Sequence, residues 1–265
     1  MLMLGLSLLF AANAGSDAEV LHDRIPVLVY HHLVTEASQS GAELHVDCFA
    51  WQMRTLYDAG FSTLTLAELQ RHHDAGGFPE RSVLITFDDG YRSYLEHAHP
   101  ILQAYGFGAV LFPVVALRPG LQRAVVWAEH LSFHEIRWMC ADGGAIDVGS
   151  HTYDLHHLSD SGLVATLRQP SETSGEHLGR VFDDLHLSRV LLQAQVDREV
   201  AALAWPYGVF TPALVDVAVS AGFSLLFTTE EGYVTPESDL AALPRFHVAD
   251  SARERFIEIL EGALP

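Results

Sequence analysis

The segment that most narrows the choice of fold is Ser82-Val83-Leu84-Ile85-Thr86-Phe87-Asp88-Asp89-Gly90-Tyr91, an apolar, β-branched run that stops on two carboxylates and a glycine. A short continuous apolar run ending at a breaker reads as a strand covered on both faces, which is characteristic of parallel sheets. Gly90 lets the backbone turn sharply where the strand ends. Two adjacent acids at such an end repel unless a cation lies between them or one of them is drawn onto a metal. A pair of this kind therefore implies metal ligands elsewhere in the chain.

Strands and helices alternate along the sequence. Strands are expected at Ile25 to Tyr30, Ala109 to Val115, Ala145 to Ser150, Val200 to Ala204 and Phe223 to Thr228, with a short strand or extended piece at Phe61 to Leu66 and a last extended segment at Leu243 to Val248. Helices are expected from Phe49 to Ala59, from a Thr65-Leu66-Ala67-Glu68 capping box to about His73, and at Tyr94 to Tyr105, Ser132 to Cys140, Phe182 to Gln195, Pro212 to Ala221 and Arg253 to Leu260. The polar stretch Ser171 to Gly179 reads as a surface loop. This alternation predicts an α/β fold, either an open parallel sheet or a β/α barrel. In a barrel the C-terminal strand ends converge on one face, where chemistry is built.

Composition excludes some partners. The 265 residues carry a formal charge of −19, and all fifteen cationic side chains are arginines. Such an acidic surface disfavours nucleic acid and anionic lipid and suits a neutral or cationic ligand. Met1 to Phe10 is almost wholly apolar and Ala12-Asn13-Ala14 has a small-x-small pattern, so residues 1–14 read as a secretory signal preceding one domain over 25–265. No later stretch is long and apolar enough to be a transmembrane helix. Cys48 and Cys140 are either a disulfide or two buried thiols.

Asp89 with His151 and His156 supplies one carboxylate and two imidazoles. Three protein ligands leave positions for water and substrate, as a catalytic metal requires. The other acid, Asp88, is then free to accept a proton. A calcium loop would need more oxygen ligands than this neighbourhood offers. A glycosidase dyad would need its carboxylates ~5–9.5 Å apart across a bond, which sequential neighbours rarely are.

Thr86-Phe87-Asp88-Asp89-Gly90-Tyr91 resembles the first motif of the polysaccharide deacetylases, carbohydrate esterase family four, also called the NodB-homology domain. Ser150-His151-Thr152 with His156 resembles the second motif, Trp205-Pro206-Tyr207-Gly208 the third, and Leu225 to Glu230 followed by Leu243-Pro244-Arg245 the late segment. The resemblance runs from about Ile25 to Val248. It implies a distorted (β/α) barrel that removes N-acetyl groups from amino-sugar polymers with one divalent metal ion, Zn2+ first, with Co2+ or Ni2+ as alternatives. It implies Asp88 as base, Asp89, His151 and His156 as metal ligands, and the Tyr207 N–H as an oxyanion donor. Pro206 and Gly208 would shape that turn, and Tyr91 joins them among the substrate-binding candidates. Trp205 would either wall the sugar pocket or pack in the core.

Two departures from the family pattern stand out. The second-motif histidines are five apart rather than four, since position 155 is leucine. That spacing resembles the branch acting on poly-β-1,6-N-acetylglucosamine, a secreted or periplasmic, biofilm-associated activity. The arginine expected two residues before the motif-three proline, which orients the base, is Ala204. Either another group takes its place, or the base is poorly held and the protein turns over slowly or only binds glycan. Peptidoglycan, chitin oligomers and acetylated xylan are the rival substrates. For the general acid, His31 is the first choice and His32 and His247 compete. Neighbours at a strand end point oppositely, so one of His31 and His32 faces the site.

Overall fold

The computed structural model describes residues 21–117, 128–141, 146–248 and 253–264. The expected leader over residues 1–14 lies outside them. Seven strands form the frame: β1 (Ile25–Tyr30), β2 (Ser82–Asp89), β3 (Ala109–Pro113), β4 (Ile146–Val148), β5 (Ala202–Ala204), β6 (Leu225–Phe227) and β7 (Phe246–His247). β1 pairs in parallel with β2, β2 with β3, β3 with β4, and β5 with β6. β4 reaches β5 through a single parallel bridge, Ser150 to Leu203, and β6 reaches the segment before β7 through another, Phe227 to Leu243. β7 returns to β1 with Phe246 opposite Leu28. The pairings thus close on themselves. The ring is the distorted β/α barrel the sequence implied, and its distortion lies at the two joints made by one bridge each.

Alternation along the strands sorts side chains to two sides. Val27, Leu84, Val110, Phe112, Ala202, Ala204, Leu225, Phe227 and Leu243 pack together in one buried cluster, the barrel interior. Leu28, Tyr30, Val83, Ile85, Phe87, Leu111, Leu203 and Leu226 belong to a second, larger cluster under the helices. The helices are α1 (Val46–Asp58), α2 (Leu66–Asp74), α3 (His99–Tyr105), α4 (Phe133–Ala141), α5 (Ser174–Val196), α6 (Pro212–Ser220) and α7 (Arg253–Glu261); α2 sets Leu69 against the interior cluster, and the others cover the outer one.

Two expectations need correction. The loop expected at Ser171 to Gly179 is largely helix, because α5 begins at Ser174, eight residues ahead of Phe182. Thr173 accepts from the Glu176 N–H while Glu176 caps Thr173 in return, a capping box strong enough to start a helix through two glycines. His177, Val181, Leu185, Ser188, Leu192 and Val196 then form its buried stripe. The helix expected over Tyr94 to Tyr105 opens instead as a π turn at Tyr94–Ala98, with α3 following and Pro100 in its first turn, where a missing N–H is harmless. The short strand or extended piece expected over Phe61 to Leu66 contains a two-residue strand, Ser62–Thr63. Cys48 and Cys140 are buried free thiols. No helix among the described residues is long and apolar enough to cross a membrane.

Gly149, just before the His151 loop, fits where β3 and β5 crowd it: a methyl there would collide with the Phe112 ring and press on the Ala202 carbonyl oxygen. Gly149→Ala is expected to lower the unfolding free energy by about 1–3 kcal/mol in a urea titration. Gly179→Ala, in α5 with open space around it, should raise it by about 0.5–1 kcal/mol.

Candidate metal centre

Three loops leave the C-terminal ends of β2, β4 and β5, and each holds one non-glycine residue in the left-handed region. These are Asp89 (φ 64°), Thr152 (φ 73°) and Tyr207 (φ 57°). Side chains resist this conformation, and it persists where surrounding structure enforces it. At Asp89 the cause is visible. Strand alternation gives the barrel interior to Asp88, so an extended Asp89 would face the helices. The left-handed turn through Asp89 and Gly90 brings its carboxylate instead to the histidine loop.

There, Asp89 Oδ1 lies 3.6 Å from His151 Nε2 and 3.4 Å from His156 Nε2. One ligand atom from each of the three residues falls within 4.8 Å of the others. His151 is buried, and its Nδ1 lies 2.7 Å from the Ala204 carbonyl oxygen. A carbonyl only accepts, so Nδ1 carries the proton and the Nε2 lone pair faces the carboxylate. Burial lowers the His151 pKa to about 4, against the pull of Asp88, so the ring is neutral at ordinary pH. A lone pair aimed at a carboxylate is repulsive until a cation sits between them. The donor set therefore suits a divalent ion that accepts imidazole and carboxylate together.

Asp88 is almost wholly buried inside the barrel. Arg245, fully buried, donates Nη1 and Nη2 to its two carboxylate oxygens at 2.7 Å each. Arg245 also donates Nε to the Thr228 carbonyl at 2.8 Å and Nη1 to Thr86 Oγ1 at 3.2 Å, and its guanidinium lies 5.8 Å from the Phe112 ring and 5.9 Å from the Phe227 ring. Burial alone would raise the Asp88 pKa, but the charge and hydrogen bonds of Arg245 outweigh it and hold the acid far below the usual carboxylate range. Of the two alternatives left by Ala204, another group takes the arginine's place, and it comes from the late segment rather than the third motif. Sequence reasoning quoted Arg245 without giving it this task. The available signal was alternation, since Leu243, Arg245 and His247 share one side of their strand.

The histidines divide as alternation requires. The His31 and His247 rings lie 5.6 Å apart, and both interact electrostatically with Asp88. His247 reaches solvent, and partial burial and the neighbouring His31 lower its pKa. His32 turns the other way, with Nδ1 2.8 Å from Ser93 Oγ and its ring 4.9 Å from that of Tyr91.

One of the substrate-binding candidates is corrected by burial. Trp205 is fully enclosed and stacked near Phe210, so its ring offers no face to a sugar and belongs to the core. Tyr91 is only 6% exposed and hydrogen-bonds the Asp89 side chain, so it braces the ligand cluster. Pro206 is buried at the turn. Gly208 has φ 67°, and a side chain there would collide with Thr229. The Tyr207 ring is 48% exposed and stacks on His156 with centroids 4.5 Å apart. It forms an open wall beside the three ligand atoms.

With this geometry in hand, comparison with known proteins points one way. The family model of polysaccharide deacetylases matches residues 75–226. Poly-beta-1,6-N-acetyl-D-glucosamine N-deacetylase of Staphylococcus aureus is 32% identical over 206 residues, covering 78% of this chain and 67% of that protein. The structure of IcaB from Ammonifex degensii superposes with a TM-score of 0.78 at 25% identity, covering 92% of this chain and 99% of that one. A de-N-acetylase from Aggregatibacter actinomycetemcomitans superposes with a TM-score of 0.76 over 88% of this chain and all of its own. At 23% identity, that likeness speaks for the fold alone.

Arg245→Leu leaves the Asp88 carboxylate buried without its partner and is expected to cost about 3–5 kcal/mol in a denaturant titration. Adding Asp88→Asn removes the charge and should recover most of that loss. In metal-free protein, an unfolded His151 binds a proton near pH 6.5 and the folded one only near 4. Its contribution to stability is therefore complete above pH 6.5 and drains as pH falls toward 4, by at most about 1.4 kcal/mol per pH unit. His151→Asn should flatten that part of a stability-against-pH curve.

Proposed function

Because the chain belongs to the polysaccharide deacetylase family, we propose that it hydrolyses the N-acetyl groups of poly-β-1,6-N-acetylglucosamine and releases acetate. One observation carries the reading: an arginine-held, ionised Asp88 stands directly beside a carboxylate and two imidazoles spaced for one ion. The choice of polymer is supported by the Staphylococcus aureus relative and by the five-residue spacing of His151 and His156.

Asp89, His151 and His156 would hold the divalent ion, with zinc preferred over cobalt or nickel. Such an ion supplies a water of lowered pKa and polarises an acyl oxygen. Asp88 is charged at every working pH and accepts the attacking water's proton. Arg245 holds both its oxygens, so the carboxylate cannot swing away. The Tyr207 N–H donates to the oxygen that becomes negative as the carbonyl turns tetrahedral. His31, backed by His247, delivers a proton to the departing amine. Pro206 and Gly208 keep the Tyr207 peptide in its turn. A polymeric substrate of this kind lies outside the cytoplasm, which fits a secretory signal over residues 1–14 and one catalytic domain from residue 25 onward.

The competing reading, a glycan-binding protein without catalysis, drew its force from Ala204. Arg245 takes that force away. Purified enzyme should contain one equivalent of a divalent metal by elemental analysis and release acetate from poly-N-acetylglucosamine. Asp88→Asn is expected to keep the metal and lose acetate release by about 10²–10⁴-fold. Unchanged release by that variant would refute the mechanism. Faster release from chitin oligomers, peptidoglycan or acetylated xylan would refute the substrate.

A further inference from the structure

The two imidazoles of the metal centre belong to one loop, and four residues separate them: Thr152, Tyr153, Asp154 and Leu155. A loop this short positions its ends only if its backbone is fixed throughout. Every amide in it has a partner. Leu155 N–H donates to Thr152 Oγ1 at 3.1 Å, a contact within the loop. The other three lead to α5. Tyr153 N–H donates to Asp184 Oδ1 at 2.8 Å, and Asp154 N–H donates to Asp184 Oδ2 at 2.9 Å. Thr152 N–H donates to Ser150 Oγ at 3.0 Å, and that hydroxyl lies 2.8 Å from Ser188 Oγ. Ser188 spends its own proton on the Leu185 carbonyl at 2.8 Å, so the direction of the chain is fixed from Thr152 through Ser150 to Ser188.

Asp184 and Ser188 are one helical turn apart on a single face of α5. Ser188 is fully buried between Leu185 and Leu192 in the stripe, and Asp184 is half-buried at its edge. Burial pushes the Asp184 pKa up to about 6 even though two backbone N–H groups pull it down, and the nearby Asp154 adds to the rise. Its charge is therefore kept at the expense of the fold, which is common where geometry serves a site.

We infer that Asp184 and Ser188 are positioning residues of the metal centre: through the loop amides, α5 sets the separation of His151 and His156 and thereby the affinity for the divalent ion. This rests on the three-ligand reading above and extends it to an element that carries no family motif. Partners behind the ligands typically change metal affinity by about 10–100-fold when removed. Asparagine at 184 offers one acceptor oxygen where two are used, so one loop amide must turn away. Alanine at 188 leaves the Ser150 hydroxyl without its acceptor.

The test is Zn2+ titration of the metal-free full chain against a competing chelator, alongside thermal unfolding of the same samples. Asp184→Asn should weaken Zn2+ binding by about 10–100-fold, and Ser188→Ala by about 3–10-fold. Leu192→Ala, in the same buried stripe one turn further on, should lower the melting temperature yet leave Zn2+ affinity within about twofold of the parent. Parent-like affinity in both Asp184→Asn and Ser188→Ala would overturn the inference while leaving the metal centre intact. Equal weakening by Leu192→Ala would also overturn it, since the effect would then be one of general stability. If Asp184→Asn does not fold, Ser188→Ala against Leu192→Ala decides. A parent that binds no Zn2+, Co2+ or Ni2+ would overturn the metal centre itself, and the inference with it.

Discussion

The ion pair between Arg245 and Asp88 is the interaction on which the rest of the site depends. Both side chains are taken out of water, at a cost that is recovered only if geometry is good and every remaining donor is used. Here the guanidinium meets both carboxylate oxygens, a hydroxyl and a carbonyl, so little of its hydrogen-bonding capacity is wasted. The pair also ties the segment before β7 to β2 across the barrel interior. A carboxylate fixed and ionised in this way leaves its neighbour Asp89 as the acid available to a cation.

The carboxylate doublet then acts in two directions because the backbone changes hand between its members. Asp88 is the last residue to obey the strand alternation, and Asp89 is the first to leave it. Adjacent acids that would repel on a solvated turn are thus separated, one facing an arginine and the other two imidazoles. Tyr91 completes the second direction by hydrogen-bonding Asp89 from behind.

Much of this was legible in the sequence, and what escaped has physical causes. Strand alternation turned His31 and His32 to opposite sides, and the donor types of Asp89, His151 and His156 marked them as one cluster. Arg245 was in view but had no assigned task, because its partner lies 157 residues earlier and only ring closure brings them together. Asp184 gave no signal: a carboxylate that serves two amides of a distant loop looks, in sequence, like any acid on a helix. Thr173 and Glu176 did carry a signal, the same capping pattern recognised at Thr65, and the glycines between and after them masked it. For Trp205 the packing alternative describes the structure, since aromatic character alone does not separate a pocket wall from a core residue.

The two joints of the ring that consist of a single bridge lie on either side of β5 and β6. His151 and His156 follow one joint, while Tyr207 stands on the piece between the two. Each joint still shares backbone hydrogen bonds, Ser150 N–H to the Ala202 carbonyl and Ala204 N–H to the Ser150 carbonyl at one, Leu243 N–H to the Leu226 carbonyl and Thr228 N–H to the Leu243 carbonyl at the other. The Tyr207 turn is thus bonded to the histidine loop on one side and to the segment carrying Arg245 on the other, which ties both halves of the site to one piece of backbone.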